Sequence, residues 1–263
     1  MKALRLVRAG FVVAVLRPKP DLSQLNTAFS VSFRALKPLA VMVCGAPGSG
    51  KGTFGRLLSQ LTGWPHISTG DLLRKHVTAD TELGQASSAI LDGQYAPDRI
   101  ANQLVSDRIQ LADCHDSFIL DGYPRTLPQC LALLPMLQRW QIEPIVVRLQ
   151  LDRQAVRSRL LARVTCPCCG TSFNLVFFPP SQAGYCDECG SLLAARTDDR
   201  ASLIDKRIDF YDELTGPVEK YLLGSALRCR QMDASLEPKV IVSEFVNGLL
   251  GDSLVTKSYS SVS

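Results

Sequence analysis

A glycine-rich loop that contains a lysine is the segment best suited to chemistry in this sequence. The loop reads Gly45-Ala-Pro-Gly-Ser-Gly-Lys-Gly-Thr53, between a short apolar run at residues 39–43 and a helical apolar pattern at residues 51–61. A strand, a glycine turn and a helix in this order point backbone N–H groups and the positive end of a helix at an anion. Lys51, in the first turn of that helix, is placed to reach β- and γ-phosphates. The loop therefore predicts a nucleotide-phosphate site.

One position distinguishes this loop from the general phosphate-loop pattern, in which a Ser or Thr that binds magnesium directly follows the lysine. Here Gly52 stands between Lys51 and Thr53. The difference weakens the case for a GTPase or a motor ATPase and favours a small-molecule kinase. The alternative, a glycine-rich turn that binds nothing, is disfavoured because the lysine and the preceding strand are both present.

Polar groups also follow a second apolar run, at residues 118–120. Asp121 stands at its carboxyl end, the edge at which open α/β sheets bind ligands, and a carboxylate there commonly faces magnesium. Arg125 can clamp a phosphate through two hydrogen bonds, and Gln129 offers both the donor and the acceptor that suit an adenine edge. We expect these groups to serve a nucleotide site together with the loop.

Two weaker patterns add further basic groups. Thr69 lies at the start of a predicted helix and Arg74 follows one turn later, an arrangement that can hold a second phosphate. Arg159 and Arg163 lie four residues apart, on one face of a helix that has no acid at that spacing. Taken alone, the first pattern is also typical of an ordinary helix cap and the second of a solvated basic face. His66, upstream of Thr69, is expected to be structural.

Four of the nine cysteines have the spacing of a tetrahedral zinc site, C-x2-C-x16-C-x2-C. These are Cys166, Cys169, Cys186 and Cys189. A glycine follows each pair, as in tight zinc-knuckle turns, and four protein ligands leave no position for water, so the zinc is expected to be structural. Cys168 is an extra thiol that could compete as a ligand, although the spacing favours Cys169. Two disulfides, or free thiols, are the alternative.

The elements that hold these groups follow from the apolar periodicity. Strands are predicted at residues 39–43, 118–120 and 145–149. Helices are predicted at residues 51–61, 72–77, 83–91, 98–107, 128–140, from 152 onward, 203–214, 217–228 and 240–250. Strands that alternate with helices predict an α/β fold with a parallel sheet. Residues 68–97 are predicted to be a helical insertion, and residues 251–263 a disordered polar tail.

Charge is distributed unevenly along the chain. Residues 1–38 contain seven Lys or Arg and one acid, so the overall charge of +4 leaves about −2 for the rest. The composition of this extension resembles a mitochondrial transit peptide. The alternative is that the protein is cytoplasmic and that the extension contains no targeting signal.

The composition also excludes several classes of protein. A slightly acidic body argues against nucleic-acid binding, and no apolar run is long enough to span a bilayer. An odd number of cysteines with two C-x-x-C pairs favours metal binding in a reducing compartment over a secreted disulfide framework. We therefore expect no nucleic acid and no membrane as partners.

Taken in order, the motifs resemble an adenylate kinase of the long, zinc-containing type over residues 39–250. The segments that carry the resemblance are the glycine loop, Ser68-Thr-Gly-Asp-Leu-Leu-Arg74, Leu120-Asp-Gly-Tyr-Pro-Arg-Thr-Leu-Pro-Gln129, the four cysteines and Arg196-Thr-Asp-Asp. The resemblance implies a P-loop parallel sheet flanked by helices as the core (39–67, 98–162 and 201–250). It also implies a helical AMP-binding insertion (68–97) and a small zinc-containing lid (163–200).

The resemblance also implies roles for individual residues. The ATP phosphates would be bound by Gly48, Ser49, Gly50, Lys51, Gly52 and Thr53. The ATP base would be covered by Arg159 and lined by Ser172 and Phe173. AMP would be bound by Thr69, Arg74, Gln94, Tyr95, Ala96, Gly122, Tyr123, Pro124, Arg125 and Gln129. Arg163, Arg196 and Arg207 would converge on the phosphates that are exchanged, with Asp121 as a further catalytic residue.

The implied reaction is MgATP + AMP ⇌ 2 ADP, with magnesium and structural zinc as cofactors and a monomer as the working form. Phosphoryl transfer leaves little covalent chemistry for the protein, so a cluster of cations suffices and no general base is required. Four positions depart from the family pattern: Phe54 for Gln, Val164 for Arg, Asn174 for His, and Asp233-Ala-Ser-Leu for an Asp-Gly turn at the ATP base. The alternatives are a GTP:AMP phosphotransferase and, in another class, a zinc-ribbon nucleic-acid-binding protein.

Overall fold

A five-stranded parallel sheet forms the centre of the molecule. The computed structural model describes residues 37–87 and 94–259. The strands in these residues are β1 (Leu39–Gly45), β2 (His66–Ser68), β3 (Phe118–Asp121), β4 (Glu143–Gln150), β5 (Arg163–Thr165), β6 (Ser172–Asn174), β7 (Ala194–Ala195) and β8 (Arg228–Asp233). The central sheet has the order β2-β3-β1-β4-β8. The predicted extension therefore lies almost wholly outside the described residues.

Strand β1 is central because its sequence is apolar on both faces. All seven of its residues are buried, and Val41 is paired with Ile119 of β3 on one side and Ile145 of β4 on the other. A strand buried on both faces is typical of a parallel sheet that is covered by helices. The glycine loop follows directly at its carboxyl end.

Helices cover both faces of the sheet. Those in the described residues are α1 (Lys51–Thr62), α2 (Thr69–Thr78), α3 (Glu82–Gln85), α4 (Asp98–Ile109), α5 (Leu127–Arg139), α6 (Arg153–Leu161), α7 (Ala201–Phe210), α8 (Gly216–Gly224) and α9 (Pro238–Tyr259). Helices α1 and α9 pack on one face and α4, α5 and α8 on the other. The prediction of an α/β fold with a P-loop parallel sheet flanked by helices is confirmed.

Phe54, the first of the four departures from the family pattern, belongs to the core. Its side chain is 1% exposed, and its ring meets that of Phe245 on α9 edge to face, with the centroids 5.5 Å apart. An aromatic pair of this geometry adds to the energy of burial. The residue therefore joins the phosphate-loop helix to the last helix of the chain.

Two smaller units project from this core. The first contains α2 and α3, and Leu73 and Val77 of α2 pack on Ile100 and Leu104 of α4. The second is an antiparallel sheet of order β6-β5-β7, and it contains the cysteine pairs. Both units lie next to the carboxyl edge of the central sheet. The helix predicted at 83–91 ends at Gln85 in the described residues, and residues 88–93 lie outside them.

The C-terminal third differs from the prediction in two places. The predicted helix at 217–228 is wrong beyond Gly224, because the chain continues as β8, the edge strand of the sheet. The sequence of β8, Arg-Cys-Arg-Gln-Met-Asp, lacks the apolar run that identifies buried strands. The predicted helix at 203–214 ends at Phe210 and continues as a π-helical turn, Tyr211–Thr215.

The last helix extends beyond its predicted end at residue 250. It continues to Tyr259, where the sequence predicted a polar tail from residue 251, and residues 260–263 lie outside the described residues. No proline follows Gly251 to stop the helix, and adding a residue to an existing helix costs little. Among the described residues, no helix combines the length and the hydropathy needed to cross a bilayer.

Candidate functional site

The glycine loop has the conformation that its sequence predicts. Gly45, Gly48 and Gly50 have positive φ angles of 138°, 78° and 95°. A Cβ atom on Gly45 would lie 2.6 Å from the carbonyl oxygen of Leu149, so only glycine fits there. Gly50 forms the N-cap of α1, and the start of this helix faces the cleft. Such a turn into a helix start is an anion-binding site.

Lys51 is a partly buried cation at the base of this loop. Its Nζ donates hydrogen bonds to the carbonyl oxygens of Gly45 and Ala46, at 2.7 and 2.8 Å. Burial lowers the pKa of Lys51 to about 8, although the nearby charge of Asp121 raises it. A lysine with little hydration gains strongly from a phosphate that approaches the loop.

Asp121 explains why a glycine follows Lys51. A Cβ atom on Gly52 would lie 3.3 Å from Oδ2 of Asp121, so a larger residue would crowd this carboxylate. His66 lies behind it, with Nε2 3.3 Å from the same oxygen. Burial raises the pKa of Asp121, but the hydrogen bond and charge of His66 and the charge of Lys51 hold it below its ordinary value. The cleft therefore contains an ionised carboxylate beside the phosphate loop.

Six arginines that the sequence predicted join Lys51 in lining the cleft. They are Arg74, Arg125, Arg159, Arg163, Arg196 and Arg207. Arg163 donates two hydrogen bonds of 2.6 Å to the carboxylate of Asp199, which Arg207 also contacts. Arg196 lies 3.1 Å from Asp71. The structure therefore brings together every arginine that the sequence predicted for the site. The prediction that Arg159 and Arg163 share a helix face is wrong, because the helix ends at Leu161 and Arg163 begins β5.

Burial and the nearby cations lower the pKa of one arginine in this cluster, Arg196. Burial, followed by the charges of Arg163 and Arg74, lowers the pKa of Arg196 to about 9. Burial and neighbouring like charges both disfavour the charged form of a base. The carboxylates in and around the cleft are fewer: Asp71, Asp121, Asp198 and Asp199. The balance favours a ligand that carries several negative charges.

The predicted AMP residues surround a small cavity beside this cluster. Its walls include Thr69, Tyr95, Ala96, Gly122, Tyr123 and Gln129. The hydroxyl of Thr69 donates to the carbonyl of Gly122 at 2.9 Å. Gln129 is 2% exposed, and its amide accepts from the backbone N–H of Arg125 and donates to Asp98, each at 2.7 Å. A side-chain amide has further bonding capacity, so Gln129 can still face a base.

Tyr95 fixes Arg125 between the two parts of the cleft. The Arg125 guanidinium lies 4.7 Å from the centroid of the Tyr95 ring, and its Nε donates to the carbonyl of Gly122 at 2.7 Å. The hydroxyl of Tyr95 bonds to that of Thr215 at 2.8 Å. The cation–π contact and these hydrogen bonds orient the guanidinium before a ligand arrives. Gln94 and Pro124 complete this wall.

The small antiparallel sheet closes over the phosphate loop. Ser172 and Phe173 line the cleft, as the resemblance implies, and Arg159 lies 5.5 Å from the centroid of the Phe177 ring. Arg56 of α1 donates to the carbonyl of Gly170 at 3.2 Å. Contacts from both sides show that this unit forms the roof of the cleft. Of the residues predicted to bind ATP, Ser49 alone is not in the lining; it is 1% exposed.

The other departures from the family pattern have local explanations in two cases. The Oδ1 atom of Asn174 accepts from the backbone N–H groups of Val176 and Phe177, and its amide donates to the carbonyl of Arg159. The Asp233 carboxylate accepts from the N–H of Ser235 at 2.8 Å, so a turn forms there without glycine. Nothing in the structure explains Val164.

The four predicted cysteines converge in this roof. Their sulfur atoms lie within 4.8 Å of one another, and the pairs Cys166–Cys189 and Cys169–Cys186 are separated by 3.4 and 3.5 Å. A disulfide requires about 2.05 Å, whereas sulfurs around zinc, each about 2.3 Å from the metal, lie further apart. Cys168 is exposed and outside this group. The donor set and its spacing fit zinc.

Sequence reasoning missed the acidic partners of the arginines. Asp71, Asp198 and Asp199 each pair with at least one arginine of the cleft. Asp71 lies three residues before Arg74, and the other two follow Arg196 closely, so acids beside motif arginines were the available signal. Tyr211 and Arg56 also line the cleft, and the sequence contains no signal that identified them.

The fold and the cleft together define a class of protein. A phosphate loop at the carboxyl edge of a parallel sheet, a carboxylate beside it and a roofed cluster of arginines form the site of a P-loop phosphotransferase. Residues 43–225 match the family model described as adenylate kinase. The chain belongs to the adenylate kinase family and is a nucleoside monophosphate kinase.

Individual relatives agree with the family model. An adenylate kinase of Pseudothermotoga lettingae is 42% identical over 188 residues, which are 71% of this chain and 87% of the relative. An adenylate kinase of Caldanaerobacter subterraneus is 34% identical over 216 residues, 81% of this chain and 97% of the relative. One of Caldicellulosiruptor saccharolyticus is 38% identical over 191 residues, 72% of this chain and 89% of the relative.

Proposed function

We propose that the protein catalyses MgATP + AMP ⇌ 2 ADP by in-line transfer within the roofed cleft. The observation that carries the proposal is the convergence of Lys51 and the six predicted arginines on one volume at the edge of the sheet. The acceptor is a phosphate that is largely ionised at neutral pH, since the second pKa of a phosphomonoester is about 6. Catalysis then requires alignment and charge stabilisation rather than a base.

The donor nucleotide is assigned to the side of the phosphate loop. Its phosphates would be held by the loop N–H groups and Lys51, and its base would lie between Arg159 and the residues Ser172 and Phe173. Asp121 would hold magnesium, because it is an ionised carboxylate beside Thr53 and the loop. When bound, magnesium would neutralise part of the charge on the donor phosphates.

The acceptor nucleotide is assigned to the side of α2 and α4. AMP would be bound by the walls of the small cavity, with its phosphate near Arg74 and Arg125. Arg163, Arg196 and Arg207 lie between the two sides, where the transferred group would pass. The roof would limit the access of water to the transferred group, so that transfer to AMP is favoured over hydrolysis of ATP.

The first test of this function is ADP formation from AMP and magnesium with ATP or GTP as donor. We expect kcat/KM to be higher with ATP because the family model and the relatives are adenylate kinases. A preference of about tenfold corresponds to about 1.4 kcal/mol. The family comparison does not favour the GTP:AMP alternative. It also favours a phosphotransferase over the nucleic-acid-binding alternative. A preference for GTP would revive the GTP:AMP alternative, and no turnover with either donor would contradict the proposed function.

We further propose that the four cysteines hold a structural zinc ion that stabilises the roof. Each turn is closed by backbone hydrogen bonds, from Gly170 to Cys166 at 3.0 Å and from Gly190 to Cys186 at 2.9 Å. Two prearranged turns of this kind present their sulfurs to one ion. Metal that binds the folded site and not the unfolded chain stabilises the fold.

Replacing Cys169 by Ser is expected to lower the melting temperature by several degrees and to remove bound zinc, with turnover at 25 °C largely retained. The matched control is Cys168→Ser, one residue away and outside the cluster, which should keep both zinc and stability. Zinc per chain is measured by atomic absorption and unfolding by calorimetry. Loss of zinc from both variants alike, or loss of activity from a folded Cys169→Ser enzyme, would contradict a structural site.

The organisation into core, insertion and lid, the monomeric state and the mitochondrial address also remain proposals. The insertion and the lid are supported by the two units that project from the sheet edge. The proposed mitochondrial targeting signal lies in residues 1–38. Its test is whether a reporter fused to these residues is imported into mitochondria.

A further inference from the structure

Asp98, the first residue of α4, is an acid to which the proposed mechanism assigns no role. Its Oδ1 atom accepts a hydrogen bond from Nε2 of Gln129 at 2.7 Å and another from the hydroxyl of Thr126 at 2.8 Å. Thr126 is the N-cap of α5, and its hydroxyl oxygen accepts from the backbone N–H of Gln129 at 3.3 Å. These hydrogen bonds join the starts of α4 and α5 around the side chain of Gln129.

The side-chain amide of Gln129 is held in one of its two orientations. Its Oε1 atom accepts from the backbone N–H of Arg125, and its Nε2 atom donates to Asp98, each at 2.7 Å. A backbone N–H only donates and a carboxylate only accepts, so an amide turned over would oppose like groups at both contacts. Because Gln129 is 2% exposed, water would not replace the lost hydrogen bonds.

The orientation of this amide decides which purine edge it can face. An amide has two N–H donors and two acceptor lone pairs, and the contacts within the described residues use one of each. One N–H and one lone pair remain for a base in the small cavity that Gln129 lines. Adenine presents the acceptor N1 beside a 6-amino donor, whereas hypoxanthine presents N1–H beside a 6-oxo acceptor. In the same position, an amide that fits one base must be turned over to fit the other.

We propose that Asp98 is a positioning residue that sets the base specificity of the acceptor site. It acts through Nε2 of Gln129 and fixes the amide in the orientation that accepts a 6-aminopurine and rejects a 6-oxopurine. The inference rests on the proposed binding of AMP beside Gln129 and deepens it. Of the two restraints on the amide, the N–H of Arg125 belongs to the backbone, so Asp98 is the restraint that a substitution can remove.

A purely structural role for Asp98 has a different consequence. An acid in the first turn of a helix interacts favourably with the helix dipole, and its contacts also join two helices. Loss of such support would loosen the walls of the cavity and would weaken every acceptor nucleotide by the same factor. Loss of an orienting contact instead changes the relative rates with two bases. A comparison of two acceptors therefore separates the two roles.

The test compares AMP with IMP as the acceptor for MgATP, since IMP replaces only the 6-aminopurine edge by the 6-oxopurine edge. The wild type is expected to prefer AMP by at least about 100-fold in kcat/KM, because the wrong base leaves buried polar groups unpaired. In Asp98→Asn the new amide can donate as well as accept, so the Gln129 amide can turn over with the loss of one contact instead of two. The preference should fall about tenfold, with a lower kcat/KM for AMP and a higher one for IMP.

Asp107→Asn is the matched control, because it removes an exposed acid of the same helix that accepts from Gln103 at 2.7 Å. This variant should keep the wild-type preference for AMP. Circular dichroism checks that all variants are folded. If Asp98→Asn does not fold, Asp98→Ser decides, because serine is tolerated at a helix start and its hydroxyl also donates or accepts.

A lower preference for AMP in the folded Asp98 variant, with Asp107→Asn unchanged, would support the inference. An unchanged preference, or equal losses with both nucleotides, would overturn it. A wild type that used IMP as well as AMP would also overturn it, while the proposed function would stand. If the wild type did not turn over AMP at all, the proposed function would fail. The relative affinities for AMP and IMP, measured by calorimetry in the same variants, would then decide the inference by the same criteria.

Discussion

Replacing Lys51 by Met is expected to lower kcat for ADP formation by about 1,000-fold, the effect of losing a cation that stabilises phosphoryl transfer. Methionine has nearly the length of lysine and can fill the same volume, so the change removes charge and hydrogen bonding rather than packing. Within residues 37–87 and 94–259, the hydrogen-bond acceptors of the wild-type lysine are the backbone carbonyls of Gly45 and Ala46. The phosphates would therefore meet an uncharged loop.

The stability of the same variant should move in the other direction. Burial lowers the pKa of Lys51 below that of an unfolded lysine, which means that folding of the charged form costs free energy at neutral pH. Lys51→Met should therefore unfold at the same temperature as the wild type or higher. Lys75→Met, at an exposed position on α2, is the control and should keep full activity. A Lys51→Met enzyme with more than a tenth of wild-type kcat would refute the assignment of the phosphate loop.

Local patterns predicted the parts of the site whose geometry is fixed by a few consecutive residues. The glycine loop is one, because its φ angles and helix start are encoded within Gly45 to Thr53. The cysteine turns are another, since the spacing x2 places two sulfurs on one tight turn. Even the exclusion of Cys168 follows from that spacing and is seen in the structure. In both cases the functional groups and the turn that positions them belong to the same few consecutive residues.

Residues whose environment is created by tertiary contacts were not predictable in this way. β8 has no apolar run because only one of its sides meets another strand, β4, so its sequence resembles the end of a helix. Glu219 was not singled out in the sequence, and its side chain is 2% exposed. The π-helical turn and the pairing of Asp199 with two arginines likewise depend on neighbours that are distant in sequence.

The acidic partners of the arginines show how a cluster of like charges is held together in the fold. Asp199 accepts from both Arg163 and Arg207, and Asp71 contacts Arg74 and Arg196. These carboxylates hold the guanidinium groups in one place at the cost of partial neutralisation. Because the cations outnumber them, positive charge remains for the substrate. Catalysis by this cluster thus depends on arginines that are already oriented before phosphate arrives.

Arg163→Met is expected to lower kcat by about 1,000-fold with a smaller change in KM, since an arginine that meets the transferred phosphoryl group acts mainly in the transition state. Two hydrogen bonds of 2.6 Å to Asp199 fix its guanidinium at the junction of α6 and the roof. Arg207 continues to pair with Asp199 in the variant, so the carboxylate is not left buried and alone. Folding should therefore survive the substitution.

Two further variants distinguish the charge of Arg163 from its geometry, and both from the overall positive charge of the protein. Arg163→Lys keeps the charge but not the two-pronged contact, and its kcat should lie between those of Arg163→Met and the wild type. Arg157→Met removes an exposed arginine of α6 that lies 3.6 Å from Asp205, and it should leave kcat unchanged. Rates are compared under saturating ATP and AMP, with the fold checked by circular dichroism. If Arg157→Met and Arg163→Met lost activity equally, the loss would reflect the overall charge of the protein. If neither variant lost activity, the transferred group would not pass beneath Arg163. The route between the two nucleotides would then have to run along Arg125 and Arg207.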